Sequence, residues 1–247
     1  MATEPDATSE QPPALVHEFL RNARMAVPLG IEQIDVMLRL LAAAGDRVER
    51  ILEVGCGQGL LSGAILDEHP STRAVLVDRS EAMLHTASRQ LERHASRLTF
   101  IHADFEDPAW TQSLESLTPF DAVVSGLAIH HAADLRKQAL YREIFHLLKP
   151  EGVFITIEHV ASATRWTESV WDDYMIDAIF GADLQASAGK TRAEVAREYY
   201  ARASRSAGML APLEVQCDWL RAIGYENVEC YFKVLELAMF GGQRPAA

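Results

Sequence analysis

The sequence predicts an α/β fold built on a doubly wound, mostly parallel sheet of seven strands. Two observations carry this prediction: short apolar runs of strand length recur along the chain, and segments with helical spacing separate them. The runs are almost continuously apolar, as is typical of strands that helices cover on both faces. The first five runs are 51–54, 74–77, 98–101, 122–124 and 153–157, and the helical segments between them are 60–68, 81–94 and 135–148.

The chain on either side of this alternation is expected to complete one domain over residues 14–247. Residues 1–13 are polar and contain prolines, which predicts a disordered tail. Residues 14–48 have helical spacing, interrupted near Pro28, and predict N-terminal lid helices. The core of the domain, residues 49–160, follows them.

The alternation breaks after the fifth strand. Residues 161–210 contain two helical stretches rich in tryptophan and tyrosine, which predict a helical cap inserted at this point. In the last segment, 211–247, a helix at 215–222 precedes apolar runs at 228–234 and 235–240. These runs predict two antiparallel edge strands that close the sheet.

Composition excludes several classes of protein. The formal net charge of −12 repels phosphate backbones, so nucleic acid is disfavoured as a partner. The three cysteines, Cys56, Cys217 and Cys230, have no C-x-x-C spacing, which argues against a disulfide framework and a zinc knuckle. No apolar run approaches the roughly 18 residues of a membrane span, and the first residues do not have the pattern of a signal peptide. A soluble, cytoplasmic protein is therefore expected.

Residues 51–60 carry the clearest functional signal. An apolar strand leads through Glu53 into the triplet Gly55, Gly57 and Gly59, and a helical segment follows at once. Glycine permits a tight turn and lets a ligand approach the backbone closely, and the first N–H groups of the helix point at that ligand. The spacing is G-x-G-x-G and not the G-x-G-x-x-G of dinucleotide-binding domains. A domain that binds NAD or another nucleotide remains the alternative interpretation.

Two aspartates end the second and third predicted strands. Asp78 follows the run 74–77, and Asp104 follows the run 98–101. A carboxylate at the carboxyl end of a strand can accept hydrogen bonds from ribose hydroxyls. A glycine turn followed by acids at successive strand ends therefore indicates a cofactor that contains a nucleoside.

These segments together resemble the class I S-adenosylmethionine-dependent methyltransferases, which have a Rossmann-like fold and an acidic residue before a Gly-x-Gly-x-Gly turn. The resemblance covers residues 51–158 and includes 120–127 at the fourth strand and 147–153 before the fifth. It implies that S-adenosyl-L-methionine is the cofactor and S-adenosyl-L-homocysteine the product.

The resemblance also implies roles for individual residues. Asp78 would bind both ribose hydroxyls, and Asp104 would accept from the adenine amino group. Glu53 would organise the methionine end, and Ser125 would lie at the end of the fourth strand, beside the sulfonium. The implied cofactor-binding residues are Glu53, Gly55, Gly57, Gly59, Asp78, Arg79, Met83, Asp104, Phe105 and Ser125.

Histidines follow the fourth and fifth strands, where the ligand crevice of an open α/β sheet lies. Methyl transfer requires alignment of nucleophile, methyl and sulfur, and it needs a base only when the acceptor loses a proton. His130, His131 and His159 are the catalytic candidates, because imidazole titrates near neutral pH. Two alternatives stay open: two histidines with Glu158 could hold a divalent metal, or some of the histidines could be structural.

The expected function is methyl transfer to O, N or C of a small-molecule acceptor. The aromatic residues of the cap favour an aromatic or apolar acceptor. Monomer and homodimer are both left open. Two other functions on this fold also stay open: an enzyme like carboxy-S-adenosylmethionine synthase or related to tRNA modification, and a non-catalytic cofactor-binding partner.

Overall fold

A computed structural model describes residues 28–45, 48–185, 189–206 and 209–246. The predicted tail, 1–13, and residues 14–27 of the predicted lid helices lie outside these ranges. The helices are α1 (Gly30–Ala43), α2 (Leu60–Glu68), α3 (Glu81–Gln90), α4 (Asp134–Leu147), α5 (Arg165–Gln185), α6 (Arg192–Ser206) and α7 (Leu213–Ile223). The strands are β1 (Arg50–Val54), β2 (Arg73–Asp78), β3 (Leu98–His102), β4 (Phe120–Gly126), β5 (Leu148–His159), β6 (Glu226–Val234) and β7 (Leu237–Gln243).

Within the described residues these strands form one seven-stranded sheet in the order β3-β2-β1-β4-β5-β7-β6. The pairs among β1 to β5 are parallel, whereas β7 is antiparallel to both β5 and β6. The predicted fold class, a doubly wound and mostly parallel sheet, is confirmed. The strand order reverses between β1 and β4, which places a crevice at their carboxyl ends.

The observed strands differ from the predicted runs at one or both ends, and the starts of two of them differ for a local reason. β5 begins at Leu148 and not at residue 153, because Leu148 already pairs with Phe120 of β4 before the chain turns. The second edge strand begins at Leu237, since Leu235 and Glu236 form the turn that joins β6 to β7. Leu235 has a φ of +53°, and its apolar side chain gave no sign of a turn.

Side chains of the central strand β1 alternate between two hydrophobic cores. Ile51 packs on one face of the sheet with Ile34 of α1, whereas Leu52 and Val54 pack on the other face with Leu140 of α4. This alternation follows from the two-residue repeat of a strand. Each fully buried aliphatic side chain contributes about 1.5–3 kcal/mol, so both faces stabilise the strand that carries the glycine turn.

The two helices α5 and α6 follow β5, and hydrogen bonds hold the chain segments before and after them to the rest of the domain. The Ala161 N–H donates to the Ala211 carbonyl at 3.1 Å, which joins the two chain segments that enter and leave the helices. Lys137 of α4, almost fully buried, donates to the carbonyl of Met209. Trp171 of α5 packs into the same core as Ile34 of α1. The cap and α1 are therefore parts of one packed domain.

Candidate active site

The turn after β1 is built from glycines in backbone conformations that other residues rarely adopt. Gly55, Gly57 and Gly59 have φ values of +66°, +51° and +76°. A Cβ on Gly55 would lie 2.3 Å from the Cβ of Ala128, so close packing requires glycine there. A Cβ on Gly57 would meet no described atom within 4 Å, because Gly57 faces a cavity. The turn is therefore packed on one side and open on the other.

This cavity has a volume of about 640 Å³ and lies at the carboxyl ends of β1, β2 and β4. Its size is in the range of sites for small molecules, roughly 300–1,000 Å³. It occupies the place where the strand order reverses, which is where open α/β sheets bind ligands. The predicted cofactor-binding residues that line it are Glu53, Gly55, Gly57, Asp78, Arg79, Met83 and Phe105.

Asp78 ends β2 and fastens the glycine turn. Its Oδ2 accepts from the Gly57 N–H at 2.8 Å, and its Oδ1 accepts from the Ser80 N–H at 2.8 Å. A carboxylate offers about four lone-pair positions, so acceptor capacity remains for hydroxyl groups of a ligand. Asp78 can therefore hold the turn and a ligand at the same time.

Glu53 is a buried carboxylate in the wall of the cavity. It is 2% exposed, and its Oε2 accepts from the Ser62 N–H at 2.9 Å. Ser62 lies in the first turn of α2, where backbone N–H groups lack partners within the helix and negative charge is favourable. Glu53 thus connects β1 to the start of α2, on either side of the glycine turn.

Asp104 lies outside the residues that line the cavity. Its Oδ1 accepts from the N–H of Glu106 at 2.9 Å, within the loop that follows β3. That loop brings Phe105 and Glu106 to the cavity wall. In this structure the Asp104 carboxylate therefore shapes the loop, and its predicted contact with an adenine amino group stays a prediction.

Two other predicted cofactor residues also lie outside the cavity lining. Gly59 directly precedes α2, and a Cβ there would lie 2.7 Å from the side chain of Leu91. Ser125 is fully buried in β4, and its Oγ donates to the carbonyl of Val54 at 2.9 Å. Both residues stabilise the structure around the cavity. Gly59 allows the side chain of Leu91 to pack closely against the turn, and Ser125 joins β4 to β1 by a hydrogen bond.

Several lining residues had no role assigned from sequence. Leu127 is the clearest case: its φ of +56° is strained for a leucine, and its N–H donates to the carbonyl of Ile157 at 2.7 Å. A leucine gives no sequence signal for such a turn. The lining residues next to the three glycines could have been predicted, because they are adjacent to the turn in sequence. The lining residues without an assigned role are Cys56, Gln58, Leu60, Leu61, Ser80, Glu106, Gly126, Leu127 and Ala128.

Cys56 lines the cavity as a protonated thiol. Burial, followed by the charges of Glu53 and Asp78, raises its pKa well above the ordinary value. A thiolate, not a thiol, is the reactive nucleophile. Cys56 therefore acts as a small packing residue of the turn.

His130 and Glu158 form a buried imidazole–carboxylate pair beside the cavity. His130 Nδ1 lies 2.7 Å from Glu158 Oε2, and the two side chains are 13% and 1% exposed. The backbone N–H groups of Ile129 and His130 also donate to Glu158, at 2.9 and 3.1 Å. Burial raises the pKa of Glu158, but the hydrogen bonds from His130 and from the two N–H groups outweigh it, so this pKa lies below its ordinary value.

An ionised Glu158 determines the tautomer of His130. A carboxylate only accepts hydrogen bonds, so Nδ1 of His130 carries the proton. When the imidazole is neutral, Nε2 is left with its lone pair. The neutral imidazole can therefore accept a proton at Nε2.

The three predicted catalytic histidines lie together. The ring centroids of His131 and His130 are 4.0 Å apart, and those of His130 and His159 are 5.9 Å apart. Of the three, His131 lines the cavity. Burial is the main cause that lowers the pKa of His131, and His130 beside it acts in the same direction. His131 is therefore neutral at neutral pH.

The metal interpretation finds no cluster to support it among the described residues. No three side chains of histidine, cysteine, aspartate or glutamate there could hold a metal ion together. The two oxygens of Glu158 accept hydrogen bonds from Ile129, His130 and Thr156. The carboxylate therefore holds a histidine and a turn.

Comparisons with known proteins agree with this geometry. Residues 51–152 match a family model described as a methyltransferase domain, which covers the glycine turn through the start of β5. The chain is 21% identical over 217 residues to the carboxy-S-adenosyl-L-methionine synthase of Nautilia profundicola. That alignment spans 87% of this chain and 86% of the relative.

Solved structures share the fold. An O-methyltransferase family protein from Burkholderia thailandensis matches with a TM-score of 0.59 and 16% identity over 93% of this chain and 64% of that one. Human N-acetylserotonin methyltransferase in complex with S-adenosylmethionine matches with a TM-score of 0.52 and 15% identity over 94% of this chain and 57% of that one. This chain thus spans less than two thirds of the length of either solved chain. Within the described ranges, every helix is too short or too polar to cross a bilayer.

Proposed function

We propose that this chain, which carries a class I S-adenosylmethionine-dependent methyltransferase domain, transfers the methyl group of its cofactor to a small-molecule acceptor, with His130 as general base. The observation that carries the proposal is the His130–Glu158 pair, held 2.7 Å apart and adjacent to the histidine that lines the cofactor cavity. A positioned general base is needed when the acceptor must lose a proton, so this pair favours an acceptor that reacts through a hydroxyl or another acidic X–H group.

The proposed reaction is an in-line displacement. S-adenosylmethionine, held by the glycine turn, Asp78 and Glu53, would supply the methyl group, which would pass from sulfur to the acceptor oxygen and leave S-adenosylhomocysteine. The acceptor proton passes to Nε2 of His130, and ionised Glu158 stabilises the imidazolium that forms. His131 lines the cavity, and its lowered pKa favours the neutral imidazole there.

A second candidate function rests on one specific observation. The relative from Nautilia profundicola, named a carboxy-S-adenosyl-L-methionine synthase, aligns over 86% of its length. On that interpretation the product would be a carboxylated cofactor and not a methylated acceptor. Mass spectrometry of the ligand that copurifies with the protein separates the two, since the carboxylated cofactor has a distinct mass.

Release of S-adenosylhomocysteine across a panel of hydroxylated small molecules tests the base. We expect His130→Asn and Glu158→Gln to lower kcat by about 10²–10⁴-fold with the best acceptor, because proton removal is lost. Cofactor affinity should stay within about twofold, since neither side chain lines the cofactor cavity. His146→Asn, an exposed histidine near the end of α4, is the matched control. Wild-type turnover in His130→Asn would return this histidine to a structural role.

A further inference from the structure

An ion pair on α4 contacts the loop that follows β3 and has no part in the mechanism above. Arg136 and Glu143 lie about two helical turns apart, so they share one side of the helix, and their side chains are 11% and 23% exposed. Nη1 and Nη2 of Arg136 donate to Oε1 and Oε2 of Glu143, each at 2.7 Å. Two parallel hydrogen bonds hold the guanidinium group in one plane and give its Nε–H a defined direction.

This pair binds the loop at two points. Nε of Arg136 donates to the carbonyl of Phe105 at 2.6 Å, and Oε2 of Glu143 accepts from the indole N–H of Trp110 at 2.6 Å. Trp110 is 3% exposed and belongs to the short 3₁₀ helix Pro108–Leu114, into which the loop leads. The segment between the two points is therefore fixed to α4 at both ends.

The fixed segment forms part of the cavity wall. Phe105 and Glu106 line the cavity, and a Cβ on Gly55 would lie 3.6 Å from Cε1 of Phe105, so the aromatic ring packs beside the glycine turn. The loop also starts next to Asp78, because the N–H of Ala103 donates to the Asp78 carbonyl at 3.2 Å. Asp78 is the proposed partner of the ribose hydroxyls. This part of the wall therefore lies on the nucleoside side of the cavity.

Stability alone is weak justification for the pair. Removal of a guanidinium and a carboxylate from water costs several kcal/mol per ion, and apolar side chains of similar size often stabilise a fold equally well. The carbonyl of a surface loop can also be satisfied by water. What the pair does accomplish is to fix the position of Phe105 before any ligand binds. A wall that is already ordered reduces the free energy lost when a ligand orders its site.

We propose that Arg136 is a positioning residue for the nucleoside half of S-adenosylmethionine. It acts through the carbonyl of Phe105, since Arg136 itself is absent from the described residues that line the cavity. Glu143 holds the guanidinium group in the plane that reaches this carbonyl. The inference deepens the proposed function and rests on its cofactor site, but neither the acceptor nor the base His130 enters it.

Calorimetry with S-adenosylhomocysteine and with 5′-methylthioadenosine tests this proposal. Methylthioadenosine keeps the nucleoside and the sulfur but lacks the amino acid part. Arg136→Gln is expected to weaken the binding of both ligands by the same factor, about 5–10-fold, because the wall contacts the part that they share. Unchanged affinities in Arg136→Gln, or a loss confined to S-adenosylhomocysteine, would overturn the proposal. So would a wild type that does not bind methylthioadenosine, since the nucleoside would then find no preformed surface.

Arg221→Gln is the matched control. Arg221 on α7 also donates to a carboxylate, that of Asp218, and to a backbone carbonyl, that of Val228, at 2.8 and 3.3 Å. None of these three residues lines the cavity. Both affinities should therefore stay within about twofold of the wild type in Arg221→Gln. A loss as large as that in Arg136→Gln would show that any such arginine affects binding, and would contradict a specific role of Arg136.

Hydrogen exchange separates positioning from a merely structural role. The N–H of Glu106, which donates to Asp104 Oδ1 at 2.9 Å, reports on the loop. In Arg136→Gln without ligand this N–H should exchange faster than in the wild type, and saturation with S-adenosylhomocysteine should restore the wild-type rate. Arg136→Lys keeps a positive charge beside Glu143 but lacks the planar set of donors, so the same two changes are expected with a smaller loss of stability. A lower free energy of unfolding with unchanged exchange and affinity would assign Arg136 to stability alone.

Steady-state kinetics keeps this inference apart from the proposed base. Arg136→Gln should raise KM for S-adenosylmethionine and leave kcat within about twofold, whereas loss of His130 lowers kcat. A lower kcat with an unchanged KM in Arg136→Gln would contradict the positioning role. A wild type that binds neither S-adenosylmethionine nor S-adenosylhomocysteine would contradict the cofactor site on which both proposals rest.

Discussion

The backbone N–H of Gly57 joins two parts of the cofactor cavity. It donates to the Asp78 carboxylate, so the glycine turn after β1 and the acid at the end of β2 are held together before any ligand binds. Both residues were predicted from sequence as cofactor-binding residues, since a glycine triplet and an acid at the end of a strand can be recognised in the sequence alone. Their mutual hydrogen bond was not, because sequence separation gives no distance.

Gly57→Ala is expected to impair cofactor binding through occupied space. The added methyl meets no described protein atom within 4 Å and would project into the cavity, where the ligand has to lie. Gly189→Ala is a matched control, because Gly189 also has a positive φ, +73°, and a methyl added there also meets no described atom within 4 Å, yet Gly189 does not line the cavity. Calorimetry should show at least a tenfold loss of affinity for Gly57→Ala and little change for Gly189→Ala. Equal affinities of the two variants would place the ligand elsewhere.

Asp78→Ala is expected to weaken cofactor binding at least tenfold, about 1.4 kcal/mol. The substitution removes the carboxylate acceptors for ligand hydroxyls and also releases the N–H groups of Gly57 and Ser80. Asp218→Ala, which removes an exposed carboxylate on α7, controls for the loss of charge. Titration calorimetry measures the affinity of each variant for S-adenosylhomocysteine. An affinity of Asp78→Ala equal to that of the wild type would refute the assignment of Asp78 to the ribose hydroxyls.

Residue roles were harder to predict than residue positions. Ser125 and Asp104 follow the expected order along the chain, but their side chains bond to the backbone and not to the cavity. Both carboxylates that hold histidines depend on contacts distant in sequence, His130 with Glu158 and His159 with Glu236. Such pairs form only when the sheet brings the strand ends together. A single sequence shows the candidates but not the partners.

At the scale of elements, the ends of β4 and β5 bring the proposed base His130 and its carboxylate partner Glu158 together. Glu158 lies one residue before the end of β5 and bonds to the turn Ile129–His131 that follows β4. Parallel pairing of β4 and β5 brings these two segments to the same edge of the sheet. The alternation of strands and helices predicted this neighbourhood. The boundaries that failed, at Leu148 and Leu235, are places where a local turn interrupts an apolar run.

Glu158 should make stability depend on pH in the acid range. Its pKa is lower in the fold than its usual value of 4.5, so the ionised carboxylate stabilises the folded state. This contribution is complete above pH 4.5 and is lost as the pH falls through the lower, folded value. The free energy of unfolding, measured by urea denaturation, should therefore fall below pH 4.5, and the fall should be shallower in Glu158→Gln. Glu229→Gln, which changes an exposed carboxylate on β6, should keep the slope of the wild type. An equally steep fall in Glu158→Gln would contradict the assignment.

At the scale of the whole molecule, strand order places the site. The sheet runs β3-β2-β1-β4-β5-β7-β6, and the cavity lies where its direction reverses between β1 and β4. The fold class and the position of this crevice followed from periodicity and the glycine turn. The proximity of the four rings His131, His130, His159 and Trp171 could not be predicted from the sequence. These rings lie in the turn after β4, at the end of β5 and in α5, which no local sequence pattern relates.

The central claim is that this crevice holds S-adenosylmethionine, and titration calorimetry on the purified full chain tests it most directly. S-adenosylmethionine and S-adenosylhomocysteine should each bind at one site per chain, and saturation at 100 times Kd should stabilise the fold by about 2.7 kcal/mol. NAD should show no binding, since the glycine turn lacks the dinucleotide spacing. Binding of NAD, or no heat and no stabilisation with either sulfur compound, would contradict the claim.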